Sequence, residues 1–553
     1  MILAPKHYSE GAFRSYFDAI CSLVVALLGG LICSLTSCVS TEISEDTRPN
    51  IVLIMVDDMG FSDIGSYGGE IPTPNIDRLA TEGIRFSQFY NTARCCPTRA
   101  SLLTGLFPHQ TGIGHMTNPP KNAHRYDDWG TEGYQGYLNR NCVTIAEVLA
   151  ENGYHTYMAG KWHLGYHDTT RWPLQRGFEK FYGSIAGATS YFWPNGDRPV
   201  TYMNQHLPPP DSNTYYTTDA FTEYGIRFIE EQEENRPFFL YLAYTAPHWP
   251  LHAKEEDIRK FVGKYTGGWD EVRQNRFQRQ QEIGLFQNSF PISERDSRVR
   301  SWSEVDEAQK QESDYRMAVY AAQVYAVDYN IGKLLDHLEE SDKMDNTLIL
   351  FLSDNGACAE MYDEFGSKPI SWINRATFSG AVSYGIGWAN TSNTPFYEYK
   401  VQTYEGGIST PLIAHWPTKI NNAGTINHNP GYLIDVMPTI LEVSQSAYPS
   451  EYHNGNKIHA LEGKSLVPVF ETGSRNTHEY MYWEHQDNCA IRKGDWKAVK
   501  KLADKQWQLY DLSKDRAEVN NLASEHPELV SELDQAWKKW ANSHHVLPKK
   551  IKK

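Results

Sequence analysis

The sequence has no surplus of positive charge. Its 52 Lys and Arg stand against 68 Asp and Glu, a formal charge of −16 at pH 7, which excludes broad electrostatic attraction to a nucleic-acid backbone or an anionic membrane. An anionic substrate would therefore need a local cluster of cations. Cysteine is also scarce, with 8 residues and no Cys-x-x-Cys spacing, so neither a disulfide framework nor a zinc site is indicated. No internal repeat is visible, and a single long apolar run excludes a polytopic membrane protein. What is present is a globular profile: 40% hydrophobic, 22% charged and 13% aromatic residues, with 40 Gly and 28 Pro. At 553 residues the chain has room for a large core with a smaller companion. The 15 Trp and 34 Tyr serve core packing first and sugar-stacking platforms second.

The apolar run spans Ala19 to Leu35 behind Lys6 and Arg14, and it closes in Leu35-Thr36-Ser37-Cys38. Small residues ending on a cysteine resemble the lipobox at which bacterial signal peptides are cut and the cysteine is lipidated. Residues 1–38 are thus predicted to be a lipoprotein-type signal peptide and 39–49 a polar tether. The expected product is exported to the periplasm or cell surface and touches the outer membrane through an N-terminal lipid anchor only. An uncleaved signal anchor is the alternative, and it exports the body equally. Cys95, Cys96, Cys142, Cys358 and Cys489 then remain in the mature chain, an odd set that leaves one for another task.

Three continuous apolar runs read as strands buried on both faces. The run from Asn50 ends in Asp57-Asp58, the run from Pro237 ends in Thr245-Ala-Pro-His248, and the run from Thr347 ends in Asp354-Asn355-Gly356. Helical stretches at Val143–Glu151, around Phe221, Tyr224 and Phe228, and at Met317–Glu340 alternate with them, the pattern of a doubly wound α/β fold. Ligands bind beyond the carboxyl ends of parallel strands, so the polar groups closing each run are expected to meet. The charged, weakly periodic stretch between His252 and Arg316 reads as exposed helices or an insertion. From about Gly473, short strand-like pieces and a last helix through Leu529, Leu533 and Trp537 predict an α+β unit. The expected division is a catalytic domain at 50–445 and a C-terminal subdomain at 446–553.

The segment Cys95-Cys96-Pro97-Thr98-Arg99-Ala100-Ser101-Leu102-Leu103-Thr104-Gly105 carries the most chemistry. Pro97 suits a first helical position and Gly105 a helix end, which puts Cys95 beside unpaired N–H groups that favour anions. Arg99 then lies one turn on. The segment resembles the signature of the type I sulfatases, Cys-x-Pro-x-Arg closed by Leu-Thr-Gly. Only Cys95 has Pro two residues on and Arg four residues on, so Cys96 fills the variable position. Further matches occur in family order. They are Asp57-Asp58 and Asp354-Asn355, the block Gly160-Lys161-Trp162-His163-Leu164-Gly165, His248 in Ala246-Pro247-His248-Trp249-Pro250, and Lys400 five residues before Glu405-Gly406-Gly407.

The resemblance implies an alkaline-phosphatase-like α/β fold, a large, mainly parallel mixed sheet sandwiched by helices with the smaller C-terminal subdomain beside it. It also implies a site. Cys95 would become formylglycine through a maturation enzyme encoded elsewhere, its hydrate being the nucleophile. Asp57, Asp58, Asp354 and Asn355, with position 95, would ligate a divalent cation, and oxygen donors suit Ca²⁺, with Mg²⁺ as the alternative. Arg99 would hold the nucleophile, Lys161 and Lys400 clamp the sulfate, His248 protonate the departing alcohol and His163 assist sulfate release. The expected activity is hydrolysis of a sulfate monoester, exo-acting on a sulfated carbohydrate rather than on an aryl ester, with no nucleic acid as partner. A phosphonate monoester or phosphodiester hydrolase of the same superfamily is one alternative. A glycan-binding lipoprotein with Cys95 unconverted is another. Candidate contacts to the rest of the substrate are His167, Trp172 and Arg176, and in the C-terminal unit His485 with the run Asn488-Cys489-Ala490-Ile491-Arg492 that follows it.

Overall fold

A computed structural model describes, besides Met1, residues 46–117, 128–232, 236–377, 380–452 and 455–548. The expected signal peptide with Cys38, and the tether as far as Glu45, lie outside the described residues. Among the described residues no helix is long and apolar enough to cross a membrane.

A run without polar alternation is stable as a strand only when both faces are covered. The three apolar runs meet that condition as β1 (Asn50–Asp57), β7 (Phe238–Pro247) and β8 (Thr347–Ser353), buried throughout but for Asn50. With β2 (Ile84–Tyr90), β3 (His155–Lys161), β4 (Lys180–Ser184), β5 (Val200–Tyr202), β6 (Gln205–His206) and β9 (Ser409–His415), they form one sheet in the order β2-β9-β8-β1-β7-β3-β4-β5-β6. The strands β8, β1, β7, β3 and β4 run parallel, and the outer pairs are antiparallel. Ile426–Asn427 and Gly431–Tyr432 extend the β2 edge. The sheet is thus mixed and mainly parallel, as expected.

Four helices bear on the sheet edge and the joint with the C-terminal strands: α1 (Cys95–Thr104), α2 (Gly268–Glu282), α3 (Glu307–Glu340) and α4 (Pro527–Ser543). Alternate residues of β1 serve opposite layers. Val52, Ile54 and Val56 pack in the cluster that holds the apolar face of α3, while Ile51, Leu53 and Met55 pack in the one that holds Leu102 and Leu103 of α1. The helix expected from Val143 begins at Ile145, behind a capping box made by Thr144 and Glu147.

Two expectations need correction. The helix expected from Met317 starts at Glu307, where the Asp306 side chain accepts the Gln309 N–H, because its first turns are polar and show no apolar period. The stretch before it, expected as exposed helices or an insertion, holds the helix α2, which has an exposed face but is buried on the other. Trp269, Arg273, Arg276 and Gln280 of α2 are buried, and Arg276 pairs with Asp63 and Glu70, each at 2.7 Å. A helix anchored by buried ion pairs carries little hydrophobic periodicity to be read.

The C-terminal strands Tyr480–His485, Asn488–Lys493, Trp496–Lys500 and Gln508–Asp511 form a separate antiparallel sheet. Leu533, Trp537 and Trp540 of α4 pack with it, and so do Tyr90 of β2 and Tyr404. Charge ties the same joint. Buried Glu405 takes Lys497 Nζ at 2.9 Å, Arg516 Nη2 at 2.6 Å and the Tyr90 hydroxyl at 2.9 Å, and Lys497 also meets Glu518 at 2.8 Å. Burial alone would raise the Glu405 carboxyl, but Lys497 and Arg516 outweigh it and hold it down at about 2. Burial, which Lys497 only partly offsets, and the charge of Glu405 push Glu518 up to about 7.

Removing the shared cation leaves buried Glu518 without its ion-pair partner and Glu405 with Arg516 alone, so Lys497→Met is expected to cost about 3–5 kcal/mol in a urea titration. Glu518 takes up a proton on folding between its ordinary value of 4.5 and about 7. Its contribution to stability therefore falls as pH rises through that window, and Glu518→Gln is expected to flatten that part of the stability profile.

Candidate active site

Strand register brings the motif residues together. In the parallel pairs Val56 faces Ser353, Asp57 faces Pro247 across an irregularity in β1, and Gly160 faces Ala243. The carboxyl ends of β8, β1, β7 and β3 therefore deliver Asp354 and Asn355, Asp57 and Asp58, His248, and Lys161 to one edge. Two glycines permit the approach. At Gly160, with φ 120°, a Cβ would stand 1.9 Å from the Ala243 carbonyl oxygen, and at Gly356 it would stand 1.8 Å from that of Gly406. The second contact seats the Asp354-Asn355 turn against the Lys400 segment, where Lys400 N–H donates to the Ala357 carbonyl at 3.1 Å.

Cys95 is the first residue of α1, behind an extended Arg94, and Gly105 closes the helix at φ 69°. Pro97 is thus the third helical residue rather than the first. Its missing N–H costs nothing there, since first-turn N–H groups have no intrahelical partner. One turn on, the buried Arg99 guanidinium reaches Asp354 Oδ2 at 2.9 Å, Asp57 Oδ2 at 3.6 Å and the Lys161 carbonyl at 3.1 Å.

All ten positions singled out for the site converge. Lys161 Nζ meets Asp57 Oδ2 at 2.5 Å, and Lys400 Nζ meets Asp58 Oδ1 at 2.8 Å. His248 Nε2 lies 3.4 Å from Asp58 Oδ2, the Asp58 N–H donates to Asp354 Oδ1 at 3.1 Å, and the Asn355 amide donates to Asp58 Oδ1 at 2.7 Å. Backbone strain gathers here too, with Asp58 at φ 66°, His163 at 59° and the β-branched Val401 at 82°.

The cysteine doublet separates by surroundings. Cys96 Sγ packs on Met116 at 3.6 Å and accepts the Thr117 N–H at 3.4 Å. A hydrogen bond from Cys96 holds the Cys95 thiol well below its ordinary range, and the charges of Lys161, His163 and Lys400 assist against the opposing effect of burial. Burial and the Cys95 charge push Cys96 the other way. Cys95 faces the cations. Burial also lowers His163 and His248 from the ordinary imidazole value.

The donor set fits a hard divalent cation. Among the described residues Asp57 Oδ1 and Asn355 Oδ1 are buried without a hydrogen-bond partner, and ligand atoms of Asp57, Asp58 and His248 lie within 4.8 Å of one another. Burial raises Asp57, yet Lys161, His248 and Arg99 together hold it well below the carboxylate range, while burial and the Asp57 charge drive Asp354 up. A cation among these oxygens would favour the ionised form of both. Cys95, Cys96 and His163 form a second convergent group, of soft sulfur and nitrogen donors.

The site opens into a cavity of about 850 Å³. None of His167, Trp172, Arg176, His485 and Arg492 lines it. Arg176 is instead buried against Glu147 at 3.2 Å, and Arg492 donates to the Tyr90 hydroxyl at 2.7 Å. Asn488, from the C-terminal segment expected to touch substrate, does line it, whereas the lining residues that sequence reading missed include Arg94, Arg198, Trp249, Glu360, Gln486 and Lys501. Only Arg94 and Trp249 were signalled, by adjacency to Cys95 and His248. The others come from loops and from the C-terminal hairpin, which carry no spacing rule.

Cations facing a nucleophilic position at the carboxyl edge of a parallel sheet define a hydrolase of anionic esters. Relatives narrow this class. A family model described as Sulfatase matches residues 49–446, and one described as N-sulphoglucosamine sulphohydrolase, C-terminal, matches 395–543. An uncharacterized sulfatase of Schizosaccharomyces pombe is 35% identical over 89% of this chain and 93% of its own, and an arylsulfatase of Klebsiella aerogenes is 35% identical over 72% and 87%. The crystal structure of Ps i-CgsB in complex with k-i-k-neocarrahexaose superposes with a TM-score of 0.64 at 27% identity, covering 89% of this chain and 93% of that one. The chain belongs to the sulfatase family and is a sulfuric ester hydrolase.

Adding Ca²⁺ at a hundredfold its Kd is expected to raise stability by about 2.7 kcal/mol, seen as a higher thermal midpoint. Asp57→Asn and Asp354→Asn are expected to lose most of that shift, with EDTA as the control. A wild-type midpoint indifferent to Ca²⁺ would mean that the orphaned oxygens do not hold it.

Proposed function

We propose that this sulfatase removes sulfate from the end of a sulfated carbohydrate, with Cys95 as formylglycine and with Ca²⁺, or Mg²⁺ in its place, held by Asp57, Asp58, Asp354, Asn355 and position 95. The observation that carries the reading is the convergence of Cys95 with Arg99, Lys161, His163, His248 and Lys400 below one cavity. A relative solved with a neocarrahexaose supports a carbohydrate as the other half of the substrate.

The aldehyde hydrate and the divalent cation supply a nucleophile ionised near neutral pH. The chain's own groups do the rest. Lys161 and Lys400 bring positive charge to the sulfate oxygens, and Arg99 neutralises Asp354 and Asp57 from behind α1. The Nδ1–H of His248 donates to the Trp249 carbonyl at 2.6 Å, which leaves Nε2 facing Asp58 and the site. Protonated there, it gives its proton to the departing alcohol oxygen. In His163 the Nε2–H donates to the Thr117 carbonyl at 3.1 Å, which leaves Nδ1 as the acceptor, and the ring interacts with Cys95, where it can take a proton. The histidines thus act in opposite senses. Export and lipid anchoring rest on the Ala19–Cys38 segment of the sequence. Maturation needs a formylglycine-generating enzyme.

In protein from the native host, the peptide containing residue 95 is expected to be about 18 Da lighter than its thiol form by mass spectrometry, and Cys95→Ala is expected to abolish turnover. An unmodified thiol in active protein would overturn the nucleophile assignment. For His248→Ala, kcat on a sugar sulfate is expected to fall by about 10²–10⁴. An aryl sulfate, whose leaving group departs without a proton, should lose far less, and equal losses on both would remove His248 from the acid role.

A further inference from the structure

The cations lining the cavity are of two kinds. Arg94 pairs with Glu360 at 2.6 Å, Lys161 with Asp57 at 2.5 Å and Lys501 with Glu398 at 2.5 Å. Their charge is already met by protein. Arg198 lines the same cavity, yet among the described residues its side chain makes one hydrogen bond, from Nη1 to the Ala188 carbonyl at 2.5 Å, and no ion pair. A guanidinium offers five N–H donors in a planar fork, so one carbonyl leaves most of them for a ligand. The group is also partly withdrawn from water. Burial lowers its pKa from the ordinary value, and the charge of Asp197 offsets only part of that effect. A half-buried cation without a paired carboxylate is unfavourable in the protein alone, which is the condition that a bound anion relieves.

Its placement is fixed relative to the chemistry. The backbone of Gly187 lies so close to His163 that a Cβ there would stand 2.6 Å from the ring's Cε1. Ala188, the next residue, holds the Arg198 head through its carbonyl, and Thr189 Oγ1 donates to the Arg198 carbonyl at 2.7 Å. One short segment thus supports the His163 ring and, a residue later, positions the guanidinium.

We propose that Arg198 forms a second anion subsite, on the His163 side of the cavity, that takes a second acidic substituent, a sulfate or a carboxylate, of the molecule whose sulfate is cleaved. The proposal rests on the sulfatase reading and names the substrate class, a glycan terminus bearing two negative groups. The planar fork suits bidentate contact with either oxyanion, which a lysine cannot reproduce.

The test uses formylglycine-bearing wild type, Arg198→Lys and Arg198→Met, with hydrolysis of an aryl sulfate as the signal. Competition is measured for a monosulfated hexosamine, the same hexosamine with two sulfates, and a monosulfated disaccharide containing a uronate. In the wild type at least one doubly anionic competitor is expected to bind roughly ten- to hundredfold more tightly than the monosulfated sugar, the scale of a charge-assisted hydrogen bond. That ratio should collapse towards one in Arg198→Met and recover in part in Arg198→Lys, whatever either variant does to aryl-sulfate turnover. Which competitor loses its advantage identifies sulfate or carboxylate as the second group. A ratio near one in the wild type, or one that survives in Arg198→Met, overturns the subsite and leaves the sulfatase reading intact. Absence of aryl-sulfate turnover by the converted wild type would sink both.

Discussion

Three carboxylates buried at the ends of adjacent strands set the terms for the rest of the molecule. Asp57, Asp58 and Asp354 have almost no exposure, and isolated they would be far too costly to ionise. Arg99, Lys161 and Lys400 balance them one for one, each buried and each within ion-pair distance of a carboxylate. The arrangement is therefore electrically closed, and it puts cations beside the position of Cys95. A hard divalent ion among the same oxygens would leave those cations in excess, which is how a chain with a formal charge of −16 gains an anion site.

The C-terminal sheet takes part in this design. Glu405 lies five residues beyond Lys400, and one short segment serves two ends. Its lysine enters the site, Gly406 admits the turn at Gly356, and its glutamate takes Lys497 from the C-terminal sheet. The same sheet contributes Asn488 to the cavity wall, with Gln486 beside it in the hairpin turn and Lys501 just beyond the next strand. Cavity-lining groups and the ion pairs of the joint are thus joined through one loop.

The fold class was legible in local pattern, and the ten candidate positions in their ordered match to the sulfatase signature; the structure brings those ten to one sheet edge. Uninterrupted apolar runs specify buried strands, and charged residues placed directly after them fall at a strand's carboxyl end whatever the rest of the chain does. The doublet Cys95-Cys96 was sorted by its register within the Cys-x-Pro-x-Arg signature that it resembles, and the structure places Cys96 Sγ 3.6 Å from Met116 and Cys95 under the charges of Lys161, His163 and Lys400. Helix α2 was misread for the opposite reason. Arg276 is held by Asp63 and Glu70 from more than two hundred residues away, and no window of sequence contains that pairing.

By itself, then, the sequence marked the candidate residues at the centre through their match to the sulfatase signature: the cysteine motif, the oxygen donors at strand ends, and the lysines and histidines at fixed spacings. Only the tertiary structure decided what surrounds it. Arg176 and Arg492, plausible as substrate contacts from their positions, are consumed by Glu147 and Tyr90, whereas Arg198, with no motif around it, lines the cavity without a paired carboxylate among the described residues. The difference is physical. Backbone periodicity and register are local properties, but whether a side chain's charge is spent or free depends on which distant carboxylate the fold brings within reach.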